Sequence, residues 1–560
     1  MPSSSSSSFG SASNSSTRAA TRLEQVSKQM ASASSSASHD VWHSTPFAPP
    51  DAIFALTAGY QQDSFDKKVN LGVGAYRDND GKPFVLPVVR KAKQILAADD
   101  TLDHEYLPIA GLPSFVKATS KLIFGADSPA LSENRVVTIQ TISGTGANHY
   151  GGAFLSRFYE PWLGKSKEEK KIYLSNPTWA NHKSIFNSVG LTPVDYPYYD
   201  PKTIGLDLSA FLDFLRKAPK QSVFLLHACA HNPTGVDPTR EQWKEIAKIF
   251  KEQEHFAFFD CAYQGFASGD LDNDAWAVRH FVSESIPLLV CQSYAKNAGL
   301  YGERIGALNI VASHAGDSEG GADRIRSQLL ILQRQEISNP PTFGARIVGL
   351  ILNDEAMFEE WKRDIKTMAH RIIDMRKKLH ELLVNKYKTP APGPNGWDHV
   401  TSQIGMFTFT GLNPEQCKAM VERGHVYMTG NGRISMAGLN EHNVEWVAEC
   451  IDKAVRGQLT TSHPRPRQLT SAPPREHEGP QLLTMPAIIS DTLLTTLANT
   501  FGTLAVLGIV AYQFLEINAK RLREQRAAEQ AAAAAAAATG KNKVVTSATV
   551  ASGQSGLAVQ

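Results

Sequence analysis

Lys296 stands in Gln292-Ser293-Tyr294-Ala295-Lys296-Asn297, a small and aromatic stretch with hydroxyls before the lysine and Arg304 eight residues after it. An amine attacks an aldehyde only after losing its proton, which desolvation or a cationic neighbour favours. An arginine fork and hydroxyl donors suit a phosphate. These residues together could form a Schiff base with an aldehyde that also carries a phosphate. Taken alone, the same lysine reads equally well as a surface residue before a turn.

Other segments carry matching chemistry. Asp260 closes the apolar run in Phe258-Phe259-Asp260-Cys261-Ala262-Tyr263. A buried carboxylate needs a cationic partner, and a protonated ring nitrogen would serve; a helix cap is the alternative use of this aspartate. Tyr263 could reach a phenolic oxygen on the same ring. Ser143-Gly144-Thr145-Gly146-Ala147 follows an apolar, β-branched run and opens a helix, whose free N–H groups bind phosphate. The third glycine of a dinucleotide fingerprint is replaced by His149, and no Walker A pattern occurs. His227 and His231 are spaced i, i+4, but their segment reads as strand and turn, and no third ligand is evident. No metal is expected, and His227 is read as a supporting hydrogen-bonding group.

The elements that must position these residues alternate along residues 41–459. Apolar runs at 136–142, 223–226, 256–259 and 287–290 read as buried strands. Helical stretches lie between them, such as residues 238–252, with Pro238 in the first turn. The pattern predicts an α/β fold, a sheet flanked by helices, with ligand groups in loops beyond the strand ends. Ser143, Asp260 and the Ser293–Lys296 stretch all fall at such ends.

The chain has 560 residues, 42% of them hydrophobic, and a formal charge of +2, enough for more than one domain and no basis for nucleic-acid binding. Its five cysteines are scattered, with no C-x-x-C pair, which points to a reducing compartment without zinc or disulfides.

Together these segments resemble the aspartate aminotransferases, pyridoxal-phosphate enzymes of fold type I, over residues 41–457. Val69-Asn70-Leu71-Gly72-Val73-Gly74-Ala75-Tyr76-Arg77, Asn176-Pro177-Thr178-Trp179, Ser338-Asn339-Pro340-Pro341 and Gly432-Arg433-Ile434-Ser435 add to the resemblance. It implies a large domain, residues 85–360, with a mostly parallel seven-stranded sheet. A smaller α/β domain would comprise residues 41–84 and 361–459. It implies the reversible conversion of L-aspartate and 2-oxoglutarate to oxaloacetate and L-glutamate. An aromatic or kynurenine aminotransferase is the alternative.

By the same resemblance Lys296 is the Schiff-base lysine and then the base that moves the α-proton. Asp260 partners the ring nitrogen, while Tyr263 and Asn232 face the phenolic oxygen, and Asn232 and Trp179 also contact the substrate. His182 and His227 support Asp260. Ser143, Gly144, Thr145, Ser293 and Arg304 form a phosphate cup, completed by Tyr106 of the other subunit of a homodimer. Trp179 stacks on the ring, Arg433 binds the substrate α-carboxylate, and Arg334, again from the other subunit, binds the distal one. Gly74 lies near the substrate. Ala295 stands where cytosolic relatives carry serine, and Ile337 where many carry an aromatic residue. Residues 292–297 and 198–203 resemble the mitochondrial branch.

The ends differ in character. Residues 1–40 are Ser-rich and acid-poor, which fits a transit peptide or a plain disordered leader. A mitochondrial matrix location is therefore expected, with the cytoplasm as the alternative. Residues 460–484 form a Pro- and Arg-rich linker. Within residues 485–526, the stretch 492–515 is uncharged and long enough to span a bilayer as a helix, for which about 20 residues suffice. A basic flank follows, then a low-complexity tail over 527–560. Met485-Pro486-Ala487-Ile488-Ile489-Ser490-Asp491 and Leu497-Ala498-Asn499-Thr500-Phe501-Gly502 resemble the smallest oligosaccharyltransferase subunit, implying membrane contact and, if the tail is retained, the endoplasmic reticulum. Two merged reading frames and a true tail-anchored fusion are the competing accounts.

Overall fold

The computed structural model describes residues 41–42, 44–48 and 52–459. Its centre is a seven-stranded sheet of Val136–Ile142 (β1), Lys171–Asn176 (β2), Thr192–Pro197 (β3), Val223–His227 (β4), Phe256–Cys261 (β5), Leu288–Ser293 (β6) and Ile305–Val311 (β7). The spatial order is β1-β7-β6-β5-β4-β2-β3. Only β7 runs against its neighbours; the other pairings are parallel. The α/β sheet expected from the alternating runs is observed, with the seven strands and mostly parallel order that the resemblance implied.

Successive strand residues point to opposite faces, so apolar pairs feed two separate cores. Phe258, Leu225 and Leu289 pack on one side; Phe259, Leu226 and Val290 pack on the other. Burying each contributes about 1.5–3 kcal/mol, and a Phe258→Ala truncation would cost about 3–5 kcal/mol. Helix Ser143–Phe158 (α1) covers the first face with Ala147, Tyr150 and Phe154.

The helix expected over 238–252 begins two residues later, at Arg240–Glu252. Thr239 accepts from Gln242 N while Gln242 Oε1 accepts from Thr239 N, a reciprocal cap that places the boundary after Pro238.

Two short pairings tie distant parts of the chain together. Val69–Asn70 runs parallel to Val426–Tyr427, and Phe407–Phe409 runs antiparallel to Arg433–Ser435. The long helix Glu355–Glu381 (α2) packs its Trp361, Ile365 and Ile372 into the core that also holds Leu71, Phe407 and Ile434. Among the described residues no helix is long and apolar enough to cross a membrane. The leader and the segments expected over 460–560 lie outside the described residues.

Candidate active site

The polar residues singled out in the sequence converge where β1, β4, β5 and β6 end. Asp260, 7% exposed near the end of β5, is in register with His227 on β4. Its Oδ2 lies 3.2 Å from His182 Nε2. A carboxylate can only accept, so Nε2 carries a proton, and Nδ1 lies 2.8 Å from the Thr178 hydroxyl. Burial pushes the Asp260 pKa up, but the His182 hydrogen bond and the nearby His182, His227 and Lys296 outweigh it, and the net shift is downward. Asp260 is thus kept as an anion inside the fold, not spent as a helix cap.

His227 is held neutral. Burial, with His182 beside it, drops its pKa to about 3 despite the pull of Asp260, and among the described residues neither ring nitrogen has a hydrogen-bond partner. Ligand atoms of His182, His227 and Asp260 lie within 4.8 Å of one another. Both nitrogens of His182 are already committed. His231 uses both of its own on Ser175 and Thr234, at 2.8 Å each.

Lys296 follows β6. Its Nζ sits 5.4 Å from the centroid of the Tyr263 ring. Burial lowers the pKa of the amine and Arg304 lowers it further, with Asp260 opposing. A proton is therefore easier to remove here than from a surface lysine. Tyr263 is buried, which raises its own pKa. Asn232 follows β4 in a turn with a cis Asn232–Pro233 bond, and its buried Oδ1 has no partner among the described residues.

The first residues of α1 make a cup. Ser143, with φ +61°, starts the helix, and no side chain caps it. Its Oγ lies 3.3 Å from Ser293 Oγ, and its N–H donates to Arg304 O at 2.9 Å. Gly144 and Thr145 supply the next two N–H groups of this uncapped turn. Gly306 permits the arrangement: a Cβ there would stand 2.5 Å from both Gln292 O and Ser143 C. Arg304 is exposed; its carbonyl holds Ser143 N and its Nη1 donates to Tyr301 O at 3.2 Å.

Trp179 lies in the loop after β2, its ring edge-on to His182 at 5.1 Å. Arg433, 7% exposed, donates from Nη2 to Gly72 O at 2.7 Å and lies 4.5 Å from the centroid of the Phe407 ring. Its Nε is buried without a partner, and burial lowers its pKa although Tyr263 opposes. Gly74 meets the same ring; an added Cβ would lie 2.8 Å from Phe407 Cζ.

Two expected residues remain on the surface of the single chain. Tyr106 is 79% exposed. Arg334, near the end of Ala322–Glu336, donates to Ser338 Oγ and, at 3.3 Å, to Asn339 Oδ1. Ile337 is half-buried directly after this helix. Thr178 and Phe407 were not assigned roles from sequence. Thr178 sits in the quoted Asn176–Trp179 stretch, four residues before its partner His182, whereas Phe407 meets Arg433 and Gly74 from other segments.

Residues 66–451 match the family model of aminotransferase class I and II, and residues 489–519 match the oligosaccharyltransferase model. The chain is 51% identical over 409 residues to a cytoplasmic aspartate aminotransferase of Schizosaccharomyces pombe, covering 73% of this chain and 97% of that one. It is 48% identical over 416 residues to the cytoplasmic aspartate aminotransferase of Gallus gallus, covering 74% and 98%. The solved aspartate aminotransferase from Saccharomyces cerevisiae cytoplasm superposes with a TM-score of 0.70 at 46% identity, covering 74% and 98%. These cytoplasmic relatives overturn the expected mitochondrial matrix location. The likeness read from residues 292–297 and 198–203 covers too little of the chain to outweigh them. The second family match agrees with the resemblance read in the tail.

Proposed function

The chain belongs to the aminotransferase class I and II family and to its pyridoxal-phosphate-dependent enzymes, and on that premise we propose that it interconverts L-aspartate and 2-oxoglutarate with oxaloacetate and L-glutamate. The observation that carries this reading is the meeting of Lys296, the Asp260 anion and an uncapped helix N-terminus at one set of strand ends. The residues fit the cofactor. A buried carboxylate awaits a ring N–H, the Asn232 Nδ2–H and the Tyr263 hydroxyl can donate to a phenolic oxygen, and the free N–H groups of α1 with Ser143, Ser293 and Arg304 await a phosphate.

Bound there, pyridoxal phosphate supplies an aldehyde carbon for the amino group and a ring that takes up the electron pair left when the α-proton departs. Lys296 Nζ first holds the cofactor and then accepts and returns the α-proton, a task its lowered pKa suits. Asp260, oriented by His182 and in turn by Thr178, keeps the ring nitrogen protonated. Trp179 covers one ring face. Arg433 binds the α-carboxylate with the guanidinium edge that Gly72 leaves free.

Tyr106 and Arg334 act in the partner subunit's site, the first on the phosphate and the second on the distal carboxylate; their exposure in the single chain supports a homodimer. Residues 85–360 form the cofactor-binding domain, and residues 41–84 with 361–459 form the smaller one. The relatives' location supports the cytoplasm. The uncharged stretch 492–515 and its family match support membrane contact by the tail.

Borohydride reduction of the purified holoenzyme, followed by peptide mass mapping, should fix the cofactor on Lys296. Attachment elsewhere refutes the assignment. A panel of aspartate, glutamate and aromatic amino acids should show preference for the dicarboxylic pair. Intact mass decides the tail: a 61.1 kDa species in membranes supports anchoring, and a soluble species ending near residue 460 refutes it.

A further inference from the structure

Arg376, on α2, is 2% exposed and forms no ion pair with a carboxylate among the described residues. Burial alone pulls its pKa down to about 9. A fold seldom carries such a charge without a use for it. Its four donated hydrogen bonds all land on residues 400–408. Nη1 donates to Val400 O at 2.9 Å and Thr408 Oγ1 at 2.6 Å, and Nη2 to Gly405 O at 2.9 Å and Phe407 O at 2.6 Å. The Thr408 hydroxyl donates in turn to Gln403 Oε1 at 2.8 Å, which also accepts from Phe409 N at 3.1 Å. One guanidinium therefore pins this segment.

The same segment touches three parts of the site. The Phe407 ring lies against Arg433 and Gly74. Phe409 is in register with Arg433 across the two-stranded pairing. Ile404 N donates at 2.8 Å to Gly235 O, in the turn that presents Asn232.

We propose that Arg376 is a positioning residue, which holds residues 400–409 as a template and so aims the Arg433 fork and the Asn232 amide together at the substrate carboxylate. The proposal rests on the substrate-binding reading of Arg433 and Asn232. A planar fork reaches four acceptors in fixed directions, which an ammonium on a flexible stem cannot.

The test uses holoenzymes of Arg376→Met and Arg376→Lys, with KM and kcat for both substrates, Kd for succinate as a non-reacting dicarboxylate, cofactor content and Tm. In Arg376→Met, KM and the succinate Kd should rise about tenfold with cofactor content unchanged, and Arg376→Lys should recover part of that loss. A fall in Tm with KM and Kd within about twofold of wild type would reduce Arg376 to a stability role and overturn the proposal. Should Arg376→Met not fold, Thr408→Val decides. A KM rise of about threefold supports the template, and no change overturns it. Arg433→Gln is measured alongside. If it leaves KM unaltered, the carboxylate-binding reading fails and takes the proposal with it; a raised KM there with unaltered Arg376 variants rejects the proposal alone.

Discussion

The strand-end cup and the rim that carries Tyr106 and Arg334 differ in how much of the site one chain completes. In the cup, Asp260 has its histidine, that histidine has its threonine, and Ser143 and Ser293 face each other across 3.3 Å. On the rim, Tyr106 projects from the surface, and Arg334 spends its guanidinium on Ser338 and Asn339, close in sequence. The cup is set by the sheet, so a folded chain has already met its ordering cost. The rim holds groups of the right type, exposed on the single chain. In the proposed homodimer the cup and Arg433 belong to one fold, while Tyr106 for the phosphate and Arg334 for the distal carboxylate wait on assembly.

The sharpest way to break that comparison is Lys296→Ala. Turnover should fall by at least about 1,000-fold, since the α-proton loses its base, while the dimer stays intact by sedimentation. Substantial remaining activity would falsify the assignment of Lys296. Next comes Arg334→Gln, which should cost roughly 10–100-fold in kcat/KM for dicarboxylic substrates and far less for aromatic ones. Co-expressing it with Lys296→Ala should restore activity through mixed dimers, each with one intact site. No recovery would mean that Arg334 serves its own chain.

A smaller effect is expected of Tyr106→Phe. Cofactor Kd should weaken by about tenfold with Tm unchanged, because the hydroxyl lost contributes to a site it does not share within its own chain. A lowered Tm would place Tyr106 in the chain's own packing instead.

The smallest effect concerns pH. His227 has a folded pKa near 3 against an ordinary 6.5, so between those values the unfolded chain binds the extra proton. Its share of stability is complete above about pH 6.5 and is lost progressively as the pH falls towards about 3. His227→Gln should flatten the acid side of a Tm-against-pH curve. An unchanged slope would mean that the ring is not held neutral.

The cup was legible in sequence because each of its strands is an apolar run that stops at a polar residue, and a parallel sheet gathers those stops on one edge. Helix boundaries were less so: Pro238 suggested a start that the Thr239 cap moved to Arg240. What sequence reading missed includes a contact across distance: Arg376 reaches Phe407 across 31 residues, and no local period betrays it. The support of Asp260 by His182, 78 residues away, was implied by the resemblance, whereas Thr178, four residues before His182, was passed over. Arg433 was named only through resemblance, because an arginine in Gly432-Arg433-Ile434-Ser435 has no intrinsic mark of burial. The exposed placement of Tyr106 and Arg334 followed from no local pattern at all.

The hydrogen bond from Arg433 to Gly72 joins residues 361 apart. A ribosome adding about 5–20 residues per second leaves the Gly72 end waiting roughly 20–70 s for its partner. During that interval the apolar stretch around Val69 and Leu71 has been made, but Val426 and Ile434, which share its core, have not. The newborn chain must keep this stretch from associating with other chains until the last part of the enzyme emerges, so a pause or truncation late in translation should be far more damaging than its distance from Lys296 suggests.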